Sequence, residues 1–494
     1  MSLDLRTTQN DRSDEWGYGG NFDFSDIFSV GDGENNLGIS FSLSSYETDR
    51  YSENADQDWV QVDPASNPSL NLGQYDFPVW FMESTHWEND PATRTTNTLS
   101  GSIDFRIGET NSFYIRPLIS SEEYTSLPQE TDINIDTAFG NDIDGDKTYA
   151  QLTPRYGRGT LDSEASLGWI GTFEDEENEL FALTLGAEHE LSNSFLAYDV
   201  SFSSNERTVK DDSELNMVME PDSPPFIFEY EVFHPFGDVS VRDVNGVDPT
   251  DLSLLSEGEL EKVFGTRDED VFSGKLDWER YFQFGQSTFE FKTGAKYRRS
   301  EQSNDITVDL YEMDETFPYA QVLSPTSDVL FLKPKYFNVQ PRTGLALLGS
   351  NPDLFEFVED DSLEDSNVED FVAEETISAA YVMGTYEVGI HTIIGGVRFE
   401  RYEWDNTSKF VSYLNEVPSV NLNNNSASHD FVLPGIHFRH ELTENLILRE
   451  SYNKSYARPT LEQVSRGRFE DDEGNLEDGN PFLEPAESDN FDIR

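Results

Sequence analysis

Residues 99–119 read LSGSIDFRIGETNSFYIRPLI and alternate between two kinds of side chain. In 99–107 the apolar residues and Gly101 take the odd positions, whereas Ser100, Ser102, Asp104 and Arg106 take the even ones. Because successive side chains of a β-strand point to opposite faces, only a strand separates these two sets cleanly. The GETN segment at 108–111 then predicts a tight turn, and residues 112–119 are predicted to return as the partner strand.

The same alternating unit recurs along the chain. Further strands or hairpins are predicted at 37–43, 180–202, 271–297, 377–402 and 430–452. Their tight turns are expected at 190–194, around Gly285, near 388–389 and at 442–445. Helical periodicity is nearly absent, and only 251–265 predicts a short helix inside a loop. We estimate about fifteen strands.

The connections between these strands alternate in length. Short turns close one end of the predicted sheet, and long polar stretches join the strands at the other. We expect irregular loops at roughly 49–91, 125–146, 206–268, 301–373, 403–427 and 458–488. Compact soluble domains rarely carry so many long loops. Transmembrane barrels do, because they have short periplasmic turns and long extracellular loops, and their tilted strands need about 9–11 residues to span.

Composition excludes several classes of protein. The 494 residues include 97 acidic and 33 basic ones, which gives a net charge of −64 and argues against a nucleic-acid partner. There is no cysteine, so disulfide and iron–sulfur chemistry are excluded. Mean hydropathy is −0.60 and no run of 18 apolar residues occurs, which excludes helical spans but not alternating barrel strands. The N-terminal residues lack the apolar segment of a signal peptide.

Two details favour a membrane barrel over a soluble β-protein. Charges of both signs lie deep inside strands on the polar face, as in Lys275 with Asp277 and Arg398 with Glu400. Aromatic residues recur near strand ends, as an interfacial girdle requires, at Tyr46, Tyr51, Trp278, Tyr281, Tyr402, Trp404, Tyr452 and Tyr456. We therefore predict an all-β, antiparallel transmembrane β-barrel with long extracellular loops.

The C-terminal residues resemble a known family. SYARPTLEQVS at 455–465 and GNPFLEPAESDNFDIR at 479–494 are similar to the TonB-dependent outer-membrane receptors. In those receptors a strand ends in Arg-Pro and a Gly-Asn-Pro passage leads into the next strand. The matching signature residues are Arg458, Pro459, Gly479, Asn480, Pro481, Leu483, Pro485, Ser488, Asn490, Phe491 and Asp492. A second resemblance covers the hairpin at 375–405, at Ala380, Tyr381, Gly396, Val397, Arg398 and Glu400.

The resemblance implies a function and a partner. Such receptors import scarce nutrients, namely ferric siderophores, cobalamin or oligosaccharides, and draw energy from the TonB complex through an N-terminal plug. The opening residues 14–49 resemble the first barrel strands after that plug, and the sequence shows neither plug nor TonB box ahead of them. We therefore expect residues 1–494 to be one incomplete receptor barrel domain in the outer membrane, with about 15 of about 22 strands.

Candidate sites in the sequence are few. Asp142, Asp144 and Asp146 have calcium-loop spacing, but Lys147 and Thr153 replace the Gly and Glu of an EF-hand, so a loose Ca²⁺ site is the stronger form of this hypothesis. The block 351–376 holds eleven carboxylates and no Lys or Arg, which predicts a hydrated surface loop or, as the alternative, divalent-cation bridging to lipopolysaccharide or to a cationic ligand. No hydrolase, zincin, Walker or dinucleotide motif occurs, so no enzymatic activity is predicted.

Three functions remain open on the sequence. The first is TonB-energised nutrient uptake, with oligosaccharides favoured over siderophores or cobalamin and with loop aromatics available to stack on sugars at Trp59, Trp80, Trp87 and Tyr230. The second is a plug-free porin, and the third is a secreted acidic β-rich binding protein. For Arg458-Pro459, strand termination is favoured over ligand contact, because Pro removes a donor from the strand ladder.

Overall fold

The computed structural model describes the chain except for residues 63–78, 135–150, 154–155, 161–165, 220–226, 232–237, 243–251, 256, 326–336, 415–416, 466–468, 471–475, 478–479 and 481. The described helices are α1 (Pro341–Ser350), α2 (Glu359–Val368) and α3 (Leu461–Ser465). Short 3-10 turns occur at Leu252–Leu254, Tyr319–Gln321 and Pro352–Leu354. The described strands are β1 (Ser2–Gln9), β2 (Trp16–Phe28), β3 (Leu37–Val62), β4 (Val79–Ile107), β5 (Asn111–Ser126), β6 (Gln129–Asn134), β7 (Gln151–Thr153), β8 (Tyr156–Thr160), β9 (Ser166–Leu191), β10 (Ser194–Met219), β11 (Ile227–Glu231), β12 (Asp238–Arg242), β13 (Glu257–Phe284), β14 (Ser287–Met313), β15 (Leu323–Pro325), β16 (Phe337–Val339), β17 (Phe355–Phe357), β18 (Phe371–Val388), β19 (His391–Leu414), β20 (Val417–Thr443), β21 (Leu446–Ala457), β22 (Phe469–Glu470), β23 (Leu476–Glu477) and β24 (Ala486–Ile493).

One large antiparallel sheet organises the molecule. Its order follows the chain, β1-β2-β3-β4-β5-β9-β10-β13-β14-β18-β19-β20-β21-β24, with β6 pairing β4 and β9 and with β17 pairing β14. Sequential antiparallel neighbours need only hairpin connections, which is why helices are so few. Among the described residues the sheet ends at β1 and at β24, without a ladder between these two strands. The predicted all-β antiparallel fold is confirmed.

The predicted short turns are also confirmed. Two or three residues separate β4 from β5, β9 from β10, β13 from β14, β18 from β19 and β20 from β21. Gly108, Gly285 and Gly389 have φ of 66°, 64° and 60°. Such tight hairpins require the left-handed backbone region, which glycine enters without steric cost.

One face of the sheet carries exposed apolar side chains close to these turns. The strand registers align Ile39, Ile103, Ile115, Leu185 and Val200 as one row across five strands. Surface that is so continuously apolar needs a non-aqueous neighbour. We call this surface the apolar belt, and its exposed members are Leu43, Leu99, Ile103, Ile107, Ile115, Ile119, Phe181, Leu185, Val200, Phe202, Phe272, Leu276, Val382, Phe399, Val432 and Ile436.

The opposite face carries paired charges, as the sequence predicts. Lys275 Nζ lies 2.7 Å from Asp277 Oδ2, and the Tyr381 hydroxyl donates to Asp277 Oδ1 over 2.7 Å. Arg398 Nε donates to Glu400 over 2.7 Å. Each carboxylate therefore has a donor from the same face of the sheet, which offsets the cost of removing it from bulk water.

Strand length is where the structure departs most from the sequence prediction. β3 and β9 have 26 residues, β4 has 29 and β20 has 27, whereas a spanning strand needs only about 9–11. The connections are long as predicted, but much of their length continues the strands as tall hairpins instead of forming irregular loops. At about 3.4 Å per residue, β4 runs on the order of 100 Å, so most of it lies beyond the apolar belt.

Further along the strands, other segments of the chain cover the same face of the sheet that carries the apolar belt. Trp169 lies on the same face of β9 as Leu185, because their positions in the chain differ by an even number. It is fully buried, and its ring lies 5.7 Å from the ring of Phe337. The Val339 amide donates to Gln129 Oε1 over 2.6 Å, and α1 packs on β9, β10 and β13. We call the described residues 317–325 and 337–350 the distal cover. The distal cover therefore buries this face over β9, β10 and β13, whereas the described residues of the belt remain exposed.

The helix predicted at 251–265 is wrong. Among the described residues of this range, a 3-10 turn forms at Leu252–Leu254 and β13 begins at Glu257. Leu260 is fully buried in the sheet, opposite Leu215 and Tyr311 in register. Pairing on both sides of β13 thus outweighs the local helical pattern.

The acidic block at 351–376 is not the predicted irregular loop. It contains α2, which covers the edge of β14 that β18 leaves unpaired beyond Phe371, its first residue. The amides of Ile306, Val308 and Leu310 donate to side-chain oxygens at 2.9, 2.8 and 2.9 Å. The acceptors are Asp370, which follows the helix, and Ser366 and Ser362, which lie one turn apart on α2. The helix thereby satisfies and protects an exposed strand edge.

The helices that the structure describes are all too short or too polar to cross a membrane.

Candidate functional site

A polar cavity lies just beyond the apolar belt. Asn205 stands an odd number of residues from Phe202 on β10, so it faces the polar side of the sheet. The registers align it with Glu269 and Gln302, and they align Arg207 with Arg267 and Asn304. The cavity has a volume of about 290 Å³, and its walls are formed by Asn205, Arg207, Arg267, Asp268, Glu269, Gln302, Ser303, Asn304, Glu369 and Phe371.

The junction between α2 and β18 forms one wall. α2 ends at Val368, and β18 begins at Phe371 opposite Asn304. The Asn304 side-chain amide donates to the Glu369 carbonyl over 2.9 Å, which fixes this wall to β14. The cavity therefore presents amide, carboxylate and guanidinium groups beside one aromatic ring.

Ion pairs hold the charged cavity residues in place. Arg207 donates to Glu176 Oε2 through Nε at 3.0 Å and through Nη2 at 2.7 Å. Ser300 and Gln302 donate to Glu269 Oε1 at 2.9 and 3.1 Å. Bidentate and charge-assisted hydrogen bonds of this kind fix orientation more strongly than neutral ones, so these walls are preorganised.

The signature residue Arg458 is linked to this cavity. Its Nη1 lies 2.9 Å from Glu375 Oε1, and Arg298 Nη1 lies 2.6 Å from the same oxygen. Arg298 also approaches Glu269 at 3.6 Å. The Glu375 side chain is only 6% exposed, so it depends on these two guanidinium groups. Arg458 is thus connected to the cavity-wall residue Glu269 through Glu375 and Arg298.

Arg458 also closes a buried cluster on the polar face. Its guanidinium lies 5.3 Å from the centre of the Tyr402 ring, and the rings of Tyr456 and Phe431 stack at 3.9 Å. α3 adds Leu461 and Val464 to this cluster. Burial, followed by the charge of Glu375, raises the pKa of Tyr402 to about 12. The contacts agree with the structural interpretation of Arg-Pro, since Pro459 follows β21 and precedes α3.

The buried cluster corrects the predicted girdle. Tyr402 is fully buried and Trp404 is 1% exposed, and both pack inside protein instead of facing a membrane interface. The prediction is wrong for these two residues because strand position indicates height along the sheet but not what covers a side chain. Tyr281 is 49% exposed but lies on the polar face, at an even offset from Asp277, and its hydroxyl donates to Glu279 over 3.1 Å, so it does not belong to a lipid-facing girdle either.

The other signature residues serve the β21–β24 pairing. Asn490 lies opposite Asn453, and its amide donates to Ser455 Oγ over 3.0 Å. The ring of Phe491 lies 4.9 Å from that of Tyr452. Asn480 accepts from the Phe482 amide over 3.0 Å, Pro485 directly precedes β24, and Asp492 lies within that strand. Gly479 and Pro481 lie outside the described residues.

The predicted ligand residues whose side chains the structure describes, Trp59 and Trp87, do not line the cavity. Trp87 is 5% exposed and Trp59 lies within β3, so neither is a loop residue. The side chains of Trp80 and Tyr230 lie outside the described residues, as do Asp142, Asp144 and Asp146. The cavity residues escaped sequence reasoning because they come from positions 205 to 371, and no local motif connects them.

Comparison with known proteins adds one family. Residues 347–494 match the model of an outer membrane protein beta-barrel family. This segment contains β18 to β21, β24 and Arg458. No curated protein matches the chain.

The family match and the exposed apolar belt indicate the same location for this protein. An exposed apolar band about 25 Å tall on the outer face is the defining surface of an outer-membrane barrel. A secreted soluble protein would have to leave that band in water, so this alternative does not fit. Because the belt needs lipid and the matched family spans the outer membrane, the chain is an integral β-barrel protein of the outer membrane.

Proposed function

We propose that this chain is the barrel portion of a receptor for TonB-energised uptake of a scarce nutrient. The observation that carries the proposal is the preorganised polar cavity, which ion pairs connect to the family-signature residue Arg458. A passive pore needs charged walls but no ligand-sized cavity of this kind. A receptor needs a site at the extracellular end of the barrel that holds its ligand until energy is supplied.

We favour an oligosaccharide as the ligand over a ferric siderophore or cobalamin. The cavity offers the side-chain amides of Asn205, Gln302 and Asn304, together with Glu269, to hydroxyl groups. Phe371 offers a ring on which a sugar can stack. The net charge of −64 repels anionic iron complexes, whereas an uncharged glycan meets no such barrier.

The proposal includes two further partners. Lipopolysaccharide and phospholipid surround the belt, and the TonB complex acts through a plug domain like that of the receptors that the C-terminal residues resemble. Energy transfer then means that the plug moves after a ligand has occupied the cavity.

Uptake by cells that express the full receptor tests the proposal. Labelled oligosaccharides should accumulate against a gradient, and accumulation should stop when a protonophore is added or the gene for TonB is deleted. Phe371→Ala and Asn205→Ala should each lower uptake at least about tenfold, on the order of a stacking or buried hydrogen-bond contribution. Arg401→Gln is the matched control and should leave uptake unchanged. Arg401 lies on the same face of β19 as Phe399, opposite the polar face that carries the cavity.

The same assay distinguishes a porin. Entry of small hydrophilic solutes that continues with the protonophore present, and that is indifferent to both cavity substitutions, would reject the receptor and establish a passive channel.

A further inference from the structure

A second site lies on the polar face of the tall hairpins, where β6 pairs with β4. The register places His86 opposite Asp132 and Glu88 opposite Glu130. Directly opposite residues share a face, and so do residues two apart on one strand. One imidazole and three carboxylates therefore face the same space.

The imidazole is held in the manner of a metal ligand. His86 Nδ1 lies 2.5 Å from Asp132 Oδ1, and Nε2 lies 3.8 Å from Glu130 Oε2. In protein metal sites a carboxylate commonly holds one ring nitrogen while the other nitrogen binds the ion. Two ligand atoms bound to one ion at about 2.0–2.2 Å lie roughly 3 Å apart, so Glu130 needs to move by less than about 1 Å.

The negative charge of these side chains favours the binding of a cation. One imidazole faces the three carboxylates of Glu88, Glu130 and Asp132. Even a protonated imidazole balances only one of three ionised carboxylates, so the remaining negative charge favours a divalent cation.

We propose that His86 Nε2 and Glu130 bind a divalent first-row transition metal ion, with Glu88 as a further carboxylate ligand and Asp132 as the group that positions the imidazole. The mixture of imidazole and carboxylate favours Zn²⁺ or a similar ion over Ca²⁺ and Mg²⁺, which take oxygen ligands only. The ion would join β6 to β4 and so fasten the tall hairpins above the membrane.

Zinc titration of the whole protein tests this assignment. The full chain in detergent micelles is stripped with a chelator and then titrated calorimetrically, with excess Mg²⁺ present to occupy ordinary surface carboxylates. We expect one tight Zn²⁺ site in the wild type. His86→Gln and Glu130→Gln should abolish it, and Asp132→Asn should weaken it about 10–100-fold because the ring loses its orienting partner.

His189→Gln is the matched control, because His189 Nδ1 contacts the Asn111 side chain at 2.7 Å and not a carboxylate. This variant should bind Zn²⁺ like the wild type. Thermal unfolding without metal checks that all variants fold, and added Zn²⁺ should raise the melting temperature of the wild type and the control but not that of His86→Gln or Glu130→Gln. A wild type with no site above the Mg²⁺ background, or a His86→Gln variant that binds normally, would overturn the proposal.

Discussion

Placing one charge in the apolar belt separates a membrane protein from a soluble one. Ile115 lies on β5 in the middle of the row of belt residues and is 42% exposed. It follows the turn at 108–110 by five residues, or about 17 Å of strand. With a strand tilt of about 40°, it stands roughly 13 Å above the turn, close to the middle of a hydrocarbon band about 25 Å tall. Ile115→Arg therefore puts a guanidinium near the bilayer midplane.

The expected cost follows from that depth. Arginine on the lipid face costs about 2–4 kcal/mol at the midplane and about 0–1 kcal/mol near the interfaces. If water faced this residue instead, the substitution would change stability by no more than about 0.5 kcal/mol. The two outcomes differ by a factor of about 10–300 in the folding equilibrium, which is well outside experimental error.

Reversible urea unfolding in phospholipid vesicles, followed by tryptophan fluorescence, measures this cost. Leu422→Arg is the matched control, because Leu422 is 68% exposed on the same face of β20 as Val432 but lies far beyond the belt. We expect a large loss for Ile115→Arg and a change within about 0.5 kcal/mol for Leu422→Arg. Equal losses in the two variants would refute the assignment of the belt to lipid.

Three further predictions concern the region beyond the belt. Arg458→Met should cost about 1–3 kcal/mol in chemical denaturation, because buried Glu375 loses one of its two guanidinium partners. Gly171→Ala should speed limited proteolysis of the distal cover, because the new Cβ would stand 2.6 Å from Val339 Cβ. Burial, followed by neighbouring carboxylates, raises the pKa of Asp212 to about 7, so the folded state binds its proton more tightly than the unfolded chain does. Stability of the tall hairpins should therefore fall as pH rises from about 4 to about 7, and Asp212→Asn should flatten that slope in hydrogen-exchange measurements.

Each of these predictions has its own check. Arg401→Met removes an exposed ion pair with Glu403 and should cost less than about 1 kcal/mol of unfolding free energy. An equal loss of stability in the Arg401→Met and Arg458→Met variants would contradict the stabilising role assigned to the buried Arg458 pair. Gly349→Ala adds a Cβ that meets nothing within 4 Å, and it should leave the proteolysis rate unchanged. Wild-type protection that stays flat between those pH values would contradict the raised pKa.

The sequence predicts the membrane-spanning part of the fold well, because its information there is local. Apolar and polar residues alternate within each strand, and the short turns carry glycine at the left-handed positions, so 99–119 alone predicts a complete hairpin. Strand length is missed because long stretches of the tall hairpins lack a sustained alternation of apolar and polar residues. The segment 405–409, for example, is entirely polar, and its backbone still pairs with 422–426.

The candidate site was less predictable, because its contacts join distant positions. Arg458 could be singled out by resemblance, but its partner Glu375 lies 83 residues away and inside an acidic block that suggests only solvation. Trp87 and Trp169 are buried by pairing with β6 and by the distal cover, which no window around either residue reveals. A tertiary cover of this kind changes what a strand residue faces without changing the local pattern.

A lipid-accessibility scan of β5 tests the central claim most directly. Because the chain has no native cysteine, single cysteines placed from 112 to 120 can carry a spin label without removing any other thiol. In native outer membranes, collision with oxygen should dominate at the positions of the apolar belt, such as 115 and 119, and collision with a water-soluble nickel chelate should dominate between them. A scan in which the water-soluble reagent reaches 115 and 119 as readily as their neighbours would contradict the account.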